Sequence, residues 1–246
     1  MRRLPRIPDL LTTANLCCGT ASILLASQGE LTAACWLVFA GAAFDVLDGL
    51  AARALGGGSG LGEQLDSLAD LVTFGVAPAF AVFLVSEELL ARTDVWLLMA
   101  GCSVLVVASM WRLAIFNTDD RQRTGFLGVP TPANGLTWAS LVLIQIGTPV
   151  QHGPGTTVLR AVVTGLFTSE AALFAASMAM AVLMLSSIPL PSLKFKHFAW
   201  RGNEVVILLL AIGAALLAVY GILAVPMILL LYLLSPFWGK LFPKTT

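Results

Sequence analysis

The sequence predicts an all-α, polytopic membrane helix bundle of about eight transmembrane helices with both the N- and C-termini cytoplasmic. Three observations predict it. Of 246 residues, 58% are hydrophobic and only 11% charged, against roughly 25% charged in a soluble domain, and the mean hydropathy is +0.89. The apolar residues gather into runs of about 20, the length that crosses a bilayer as a helix. The positive charges fall on one side of the resulting topology, a bias that a wrong count of spans would scramble. The formal net charge is zero, so nothing suggests a nucleic-acid partner.

In chain order the spans cover residues 10–28, 31–52, 63–85, 95–115, 132–149, 168–188, 204–220 and 222–239. The start, Met1-Arg-Arg-Leu-Pro-Arg6 and an apolar run, has the outline of a secretory leader. Asp9, Thr12, Thr13 and Asn15 interrupt that run, so the first segment reads as a retained span. Residues 150–167, rich in Gly, Thr and Pro, suit a short interfacial helix. The last two spans divide near Gly221, with a single helix kinked at Pro226 as the alternative. With the N-terminus inside, Arg2, Arg3, Arg6, Arg53, Arg112, Arg121, Arg123, Lys194, Lys196, Arg201, Lys240 and Lys244 are cytoplasmic. Only Arg92 and Arg160 are outside, so 12 of the 14 positive charges lie inside. The chain reads as one domain over 1–246, with a core over 8–190 and a C-terminal helical pair over 203–239.

Four acids stand out against this background. Asp45 and Asp48 are three apart at the inner end of the second span, and Asp66 and Asp70 four apart at the inner start of the third. On helices each pair shares a face. Acids in lipid-facing sequence are costly unless they pair or bind something, and four carboxylates from two helices suit hard cations such as Mg2+ or Mn2+. Gly49 and Ala52 remove bulk beside them, which serves either close approach of a ligand or ordinary helix packing. Arg53 is a bidentate donor suited to phosphate, or a snorkelling interfacial arginine. Gly56-Gly-Gly-Ser59-Gly60 is a turn able to present backbone N–H groups to an anion. Cys17, Cys18, Cys35 and Cys102 lack metal-ligand spacing and read as reduced core residues. His152 and His197 are isolated and read as non-catalytic.

The pattern Asp45-x2-Asp48-Gly49-x2-Ala52-Arg53-x8-Gly62-x3-Asp66-x3-Asp70 resembles the signature of the CDP-alcohol phosphatidyltransferase family. The resemblance implies an integral membrane enzyme, commonly a homodimer, that uses two divalent cations to transfer a phosphatidyl group from a CDP-linked lipid to an alcohol. It implies that Asp45, Asp48, Asp66 and Asp70 ligate metal and that Asp70 takes the hydroxyl proton. It implies further that Asp9, Thr12, Gly49, Ala52, Arg53 and Ser59 meet the CDP-lipid. Asp9-Leu-Leu-Thr-Thr-Ala-Asn15-Leu-Cys-Cys-Gly19, Asp66 through Pro78, Arg112-Leu-Ala-Ile-Phe116-Asn117, Gly128 through Asn134 and Ser187-Ile-Pro189 are similar to the bacterial phosphatidylserine synthases within that family. Ile115 departs from the basic residue often found there.

This second resemblance implies CDP-diacylglycerol and L-serine as substrates and a multi-pass protein of the bacterial cytoplasmic membrane with its site facing the cytoplasm. Arg112, Asn117 and Arg121 are the candidate partners of the serine carboxylate, positive-inside anchoring being the other use of Arg121 and Arg123. Glycerol 3-phosphate and inositol phosphate are alternative acceptors, disfavoured because Arg53 alone is basic within the acid stretch. A divalent-cation transporter would spread its acids through the membrane depth; here they sit at one end with an arginine among them.

Overall fold

A computed structural model describes residues 6–57, 59–89, 95–119, 126–148, 155–191 and 204–238. The first helix, α1 (Ile7–Ser27), starts with Pro8 in its first turn, where a missing N–H costs nothing, and with Asp9 Oδ2 accepting from the Arg6 N–H at 2.8 Å. A short turn leads into α2 (Leu31–Ala54), which packs back along α1 over most of its length. The inward face of α1 is Thr12, Asn15, Gly19, Ser22 and Ala26, a small and polar stripe at alternating three- and four-residue spacing. Small residues let helix backbones approach where lipid provides no hydrophobic drive between helices.

The third span is one helical stretch, Gly60–Leu89, in three parts: α3 (Gly60–Asp70), a π-helical turn (Leu71–Val76) and α4 (Ala77–Leu89). Pro78 accounts for the interruption. It has no N–H to offer the Phe74 carbonyl four residues back, and its ring crowds that carbonyl. The turn widens there, with the Ala77 N–H bonding to Val72 O, and Asn134 Nδ2 donates to Phe74 O at 3.3 Å. Asn134 belongs to α6 (Thr131–Gln145), the central helix, buried on nearly every face.

Around this core stand α5 (Val95–Thr118), which packs along α8 (Glu170–Leu185), and α7 (Thr156–Leu166), bent 99° from α8. A two-residue antiparallel pairing, β1 (Phe126–Leu127) with β2 (Pro189–Leu190), ties the start of α6 to the end of α8. Gly128 follows it at φ +74, its N–H donating to Ile188 O at 2.9 Å. A Cβ there would meet the carbonyls of Met184, Leu183 and Ser186, so only glycine fits.

Among the described residues, five helical stretches are long and apolar enough to cross a membrane: Ile7–Ser27, Leu31–Ala54, Gly60–Leu89, Val95–Thr118 and Glu204–Pro236. A sixth qualifies if α7 and α8 count as one bent span. The last of these folds back on itself. Between α9 (Glu204–Tyr220) and α10 (Ala224–Trp238) a 3-10 turn begins at Gly221, φ +56. Leu209 and Tyr232 share one buried cluster, and a Cβ on Gly213 would lie 3.6 Å from Ile228. A straight helix would hold Leu209 and Tyr232 about 35 Å apart at 1.5 Å per residue. The division near Gly221 is therefore real, and Pro226 sits harmlessly in the first turn of α10.

The segments expected at 132–149 and 168–188 form α6 and α8, of 15 and 16 residues, about 22–24 Å and short of the roughly 30 Å hydrocarbon core. For α6 the reason is its place: a helix surrounded by others needs no full-length apolar coat. A short helix does form in the 150–167 segment. Of the cysteines, all free, Cys35 is buried and Cys18 and Cys102 partly so, while Cys17 is exposed, on the outer face of α1 rather than in the core. His152 and His197 lie outside the described residues.

Candidate active site

The acids of α2 continue its inward stripe, Ala34, Val38, Gly41, Asp45 and Asp48, because each step is three or four residues. The acids of α3 face them. One carboxylate oxygen from each of Asp45, Asp48 and Asp66 lies within 4.8 Å of the others. Asp48 is buried, Asp45 and Asp66 half-buried, and Asp66 Oδ1 is shielded from solvent without a hydrogen-bond partner. Like charges this close repel strongly in a medium of low dielectric. An all-oxygen donor set with an unpaired buried oxygen is what a hard divalent cation fits.

α1 supports the cluster from the side. The Thr12 hydroxyl lies 2.7 Å from Asp48 Oδ2, donating to it, with Pro8 O at 3.0 Å. Asn15, fully buried, donates from Nδ2 to Asp70 Oδ1 at 3.0 Å. Asp70 itself is 5% exposed, at the junction of α3 with the π turn. Thr73, one turn on, donates to Asn15 O at 3.0 Å. Gly19 and Gly41 leave the room Thr73 needs: Cβ atoms there would meet its Oγ1 and, at 2.6 Å, its Cγ2.

Of the residues assigned to the CDP-lipid, Thr12 is buried against Asp48, and Asp9, Gly49, Ala52, Arg53 and Ser59 lie nearer the surface. The Arg53 guanidinium lies over Gly49, 3.4 Å from where a Cβ would stand, and Arg53 is exposed. The Ala52 carbonyl accepts from the Gly57 N–H at 2.9 Å, closing the end of α2. Ser59 caps α3, its Oγ accepting from the Gly62 N–H at 3.0 Å. Gly62 separates Ser59 from Asp9: a Cβ on it would lie 3.3 Å from Ser59 Oγ and 3.4 Å from Asp9 Oδ1. The first turns of α1 and α3 thus converge beside the cluster.

Of the residues assigned to the acceptor, Asn117 joins α5 to α3, Nδ2 donating to Ser67 Oγ at 2.7 Å, next to Asp66. Arg112 is 3% exposed, 5.3 Å above the Phe116 ring and within electrostatic reach of Tyr232 on α10. The Tyr232 hydroxyl in turn donates to Pro191 O at 3.0 Å. Arg121 lies outside the described residues. Asn15 and Thr73 carry structural roles at the site, and Tyr232 one beside Arg112, that sequence reading did not assign. The inward stripe of α1 was the available signal for Asn15.

A model of the CDP-alcohol phosphatidyltransferase family matches residues 6–237. The chain belongs to this family. It is 32% identical over 232 residues to the CDP-diacylglycerol–serine O-phosphatidyltransferase of Mycobacterium leprae, covering 92% of this chain and 72% of that one. It is 33% identical to the archaetidylserine synthase of Methanothermobacter thermautotrophicus, covering 75% and 69%. With the CDP-diacylglycerol–serine O-phosphatidyltransferase of Bacillus subtilis it shares 34% identity, covering 58% of this chain and 81% of the relative. Membership agrees with the geometry: this phosphatidyltransferase family generally works with divalent metals, and the three clustered carboxylates are suited to hold one.

Proposed function

We propose that the protein transfers the phosphatidyl group of CDP-diacylglycerol to the hydroxyl of L-serine, releasing CMP, at the carboxylate cluster between α2 and α3. The observation that carries this reading is the convergence of three carboxylate oxygens within 4.8 Å in a chain otherwise built for lipid, where such repulsion is kept only for a bound group. The relatives' names agree on serine while differing in the lipid that carries it, which supports serine as the acceptor.

Asp45, Asp48 and Asp66, with Asp70 beside them, would hold two divalent cations, Mg2+ or Mn2+. Cations bound there would supply charge neutralisation for the pyrophosphate and for departing CMP. Arg53, over Gly49, and the convergent starts of α1 and α3 with Asp9 and Ser59, and Thr12 one turn further in, grip the CDP moiety. The serine oxygen bonds to the phosphatidyl phosphorus, the anhydride bond to CMP breaks with its electron pair leaving on CMP, and Asp70 takes the hydroxyl proton. Arg112, Asn117 and Arg121 receive the serine carboxylate.

The chain is a single domain with eight spans, both ends in the cytoplasm, and the site faces the cytoplasm at headgroup depth in a bacterial cytoplasmic membrane. Two copies form a homodimer.

The test is CMP release by purified protein given CDP-diacylglycerol and Mg2+ or Mn2+, with L-serine, glycerol 3-phosphate or inositol phosphate in parallel. Release that needs serine and stops on adding chelator is expected. Release with another alcohol instead overturns the acceptor and keeps the cluster chemistry. No chelator-sensitive release with any of the three overturns the reading.

A further inference from the structure

Asn15 stands apart from the residues assigned above. It lies 55 positions from Asp70 in sequence, is fully buried, and touches the one acid that the metal-like trio does not include. We infer that Asn15 is a positioning residue: its amide, bonded to Oδ1, holds the Asp70 carboxylate in one orientation for the part that acid plays in the transfer. This rests on the proposed transfer reaction, though not on which alcohol accepts.

Three observations support it. The amide orientation is determined by chemistry, because turning the group over would set the Asn15 oxygen against a carboxylate oxygen at 3.0 Å. The contact is held at two points three residues apart on one helix, since Asp70 accepts from the Asn15 side chain while Thr73 donates to its backbone oxygen. The remaining freedom of Asn15 is removed by α2, where Gly41 lies so close that a Cβ would sit 2.9 Å from Asn15 Oδ1. That oxygen is buried and has no hydrogen-bond partner, so the side chain is kept in place at some cost, for the one hydrogen bond its Nδ2 makes. A carboxylate so held presents one defined oxygen, and a fixed base is worth more than a rotating one because proton transfer needs hydrogen-bond geometry.

The experiment uses the full chain in detergent or nanodiscs and two variants, Asn15→Leu, which keeps the branched shape and loses the donor, and Asn15→Ser, whose hydroxyl is too short to reach Asp70. Three quantities are read: kcat and KM for CDP-diacylglycerol with whichever alcohol the parent turns over, Mn2+ affinity by electron paramagnetic resonance, and thermal unfolding. A positioning role gives a kcat lower by about 10–100-fold, with KM and Mn2+ affinity within about threefold of the parent. Should the leucine variant fail to fold, the serine variant carries the comparison. Unchanged kcat overturns the inference. So does a raised KM at constant kcat, which would make Asn15 a substrate contact. A loss of Mn2+ affinity matching the loss of kcat overturns it too, making Asn15 a support of the metal centre. A parent inactive with every alcohol is a different result, one that removes the transfer reaction itself and the inference with it.

Discussion

At the scale of single residues, the site divides into acids that converge and side chains from α1 that hold them. Asp70→Asn keeps size and hydrogen bonding and removes the base. CMP release is expected to fall at least about 100-fold, while CDP-lipid binding, measured by calorimetry, stays near that of the parent; near-normal turnover would refute the role given to Asp70. Thr12→Val deletes the hydroxyl 2.7 Å from Asp48 Oδ2 and leaves a buried carboxylate short of a donor. Hydrogen bonds to charged groups are worth roughly 1.5–3 kcal/mol, so Mn2+ affinity should weaken by about 10-fold or more, read by the same resonance titration. Affinity within twofold of the parent would show that Asp48 is oriented by other groups.

At the scale of elements, the π turn is where the bundle closes. Gly19 of α1 and Gly41 of α2 meet Thr73, and Gly135 of α6 meets Phe74, where a Cβ would stand 2.6 Å from the Phe74 Cα. Backbone cannot yield as a flexible side chain can, so Gly135→Ala should overpack the junction and cost about 1–3 kcal/mol, seen as a lower unfolding midpoint. Gly165→Ala is the control. Nothing lies within 4 Å of its Cβ position, and alanine in a helix is favoured over glycine by up to about 1 kcal/mol, so its midpoint should hold or rise. Equal losses in both variants would mean that the close packing on the π turn contributes nothing particular. A proline inside a helical run is a legible signal of an interruption, although the expected 63–85 span runs straight through Pro78. That Asn134 of another helix answers the Phe74 carbonyl freed by Pro78 was not legible, since the two are 60 residues apart.

At the scale of the whole molecule, the site lies at one end of the bundle. The turns after α1 and after α2 lie at opposite ends, because α1 and α2 run antiparallel. The proposed topology assigns Gln28 to the outside and Leu55 to the cytoplasm. In a cysteine-free background, Gln28→Cys and Leu55→Cys, both at exposed positions, should label with an impermeant thiol reagent from opposite faces of sealed vesicles. Labelling from the same face would overturn the orientation of the first hairpin, and with it the cytoplasmic site.

The sequence by itself determined the class of protein, the helical spans of its first half and the acids that cluster between α2 and α3. Lipid makes each of these legible: runs of about 20 apolar residues are needed to cross it, and a charge within them is too costly to keep without purpose. The short spacings that pair Asp45 with Asp48 and Asp66 with Asp70 are local, so they too survive reading in one dimension. Only the tertiary structure decided which neighbours complete the site. α1 offers Thr12, Thr13, Asn15 and Thr20, chemically similar groups in similar sequence, yet Thr12 and Asn15 turn inward while Thr13 and Thr20 are exposed. The same holds for Gly128 meeting Ile188 and for α10 folding back on α9. Such contacts are fixed by how helices cross and how far each is rotated about its axis, quantities set by packing across the bundle rather than by any one segment of chain.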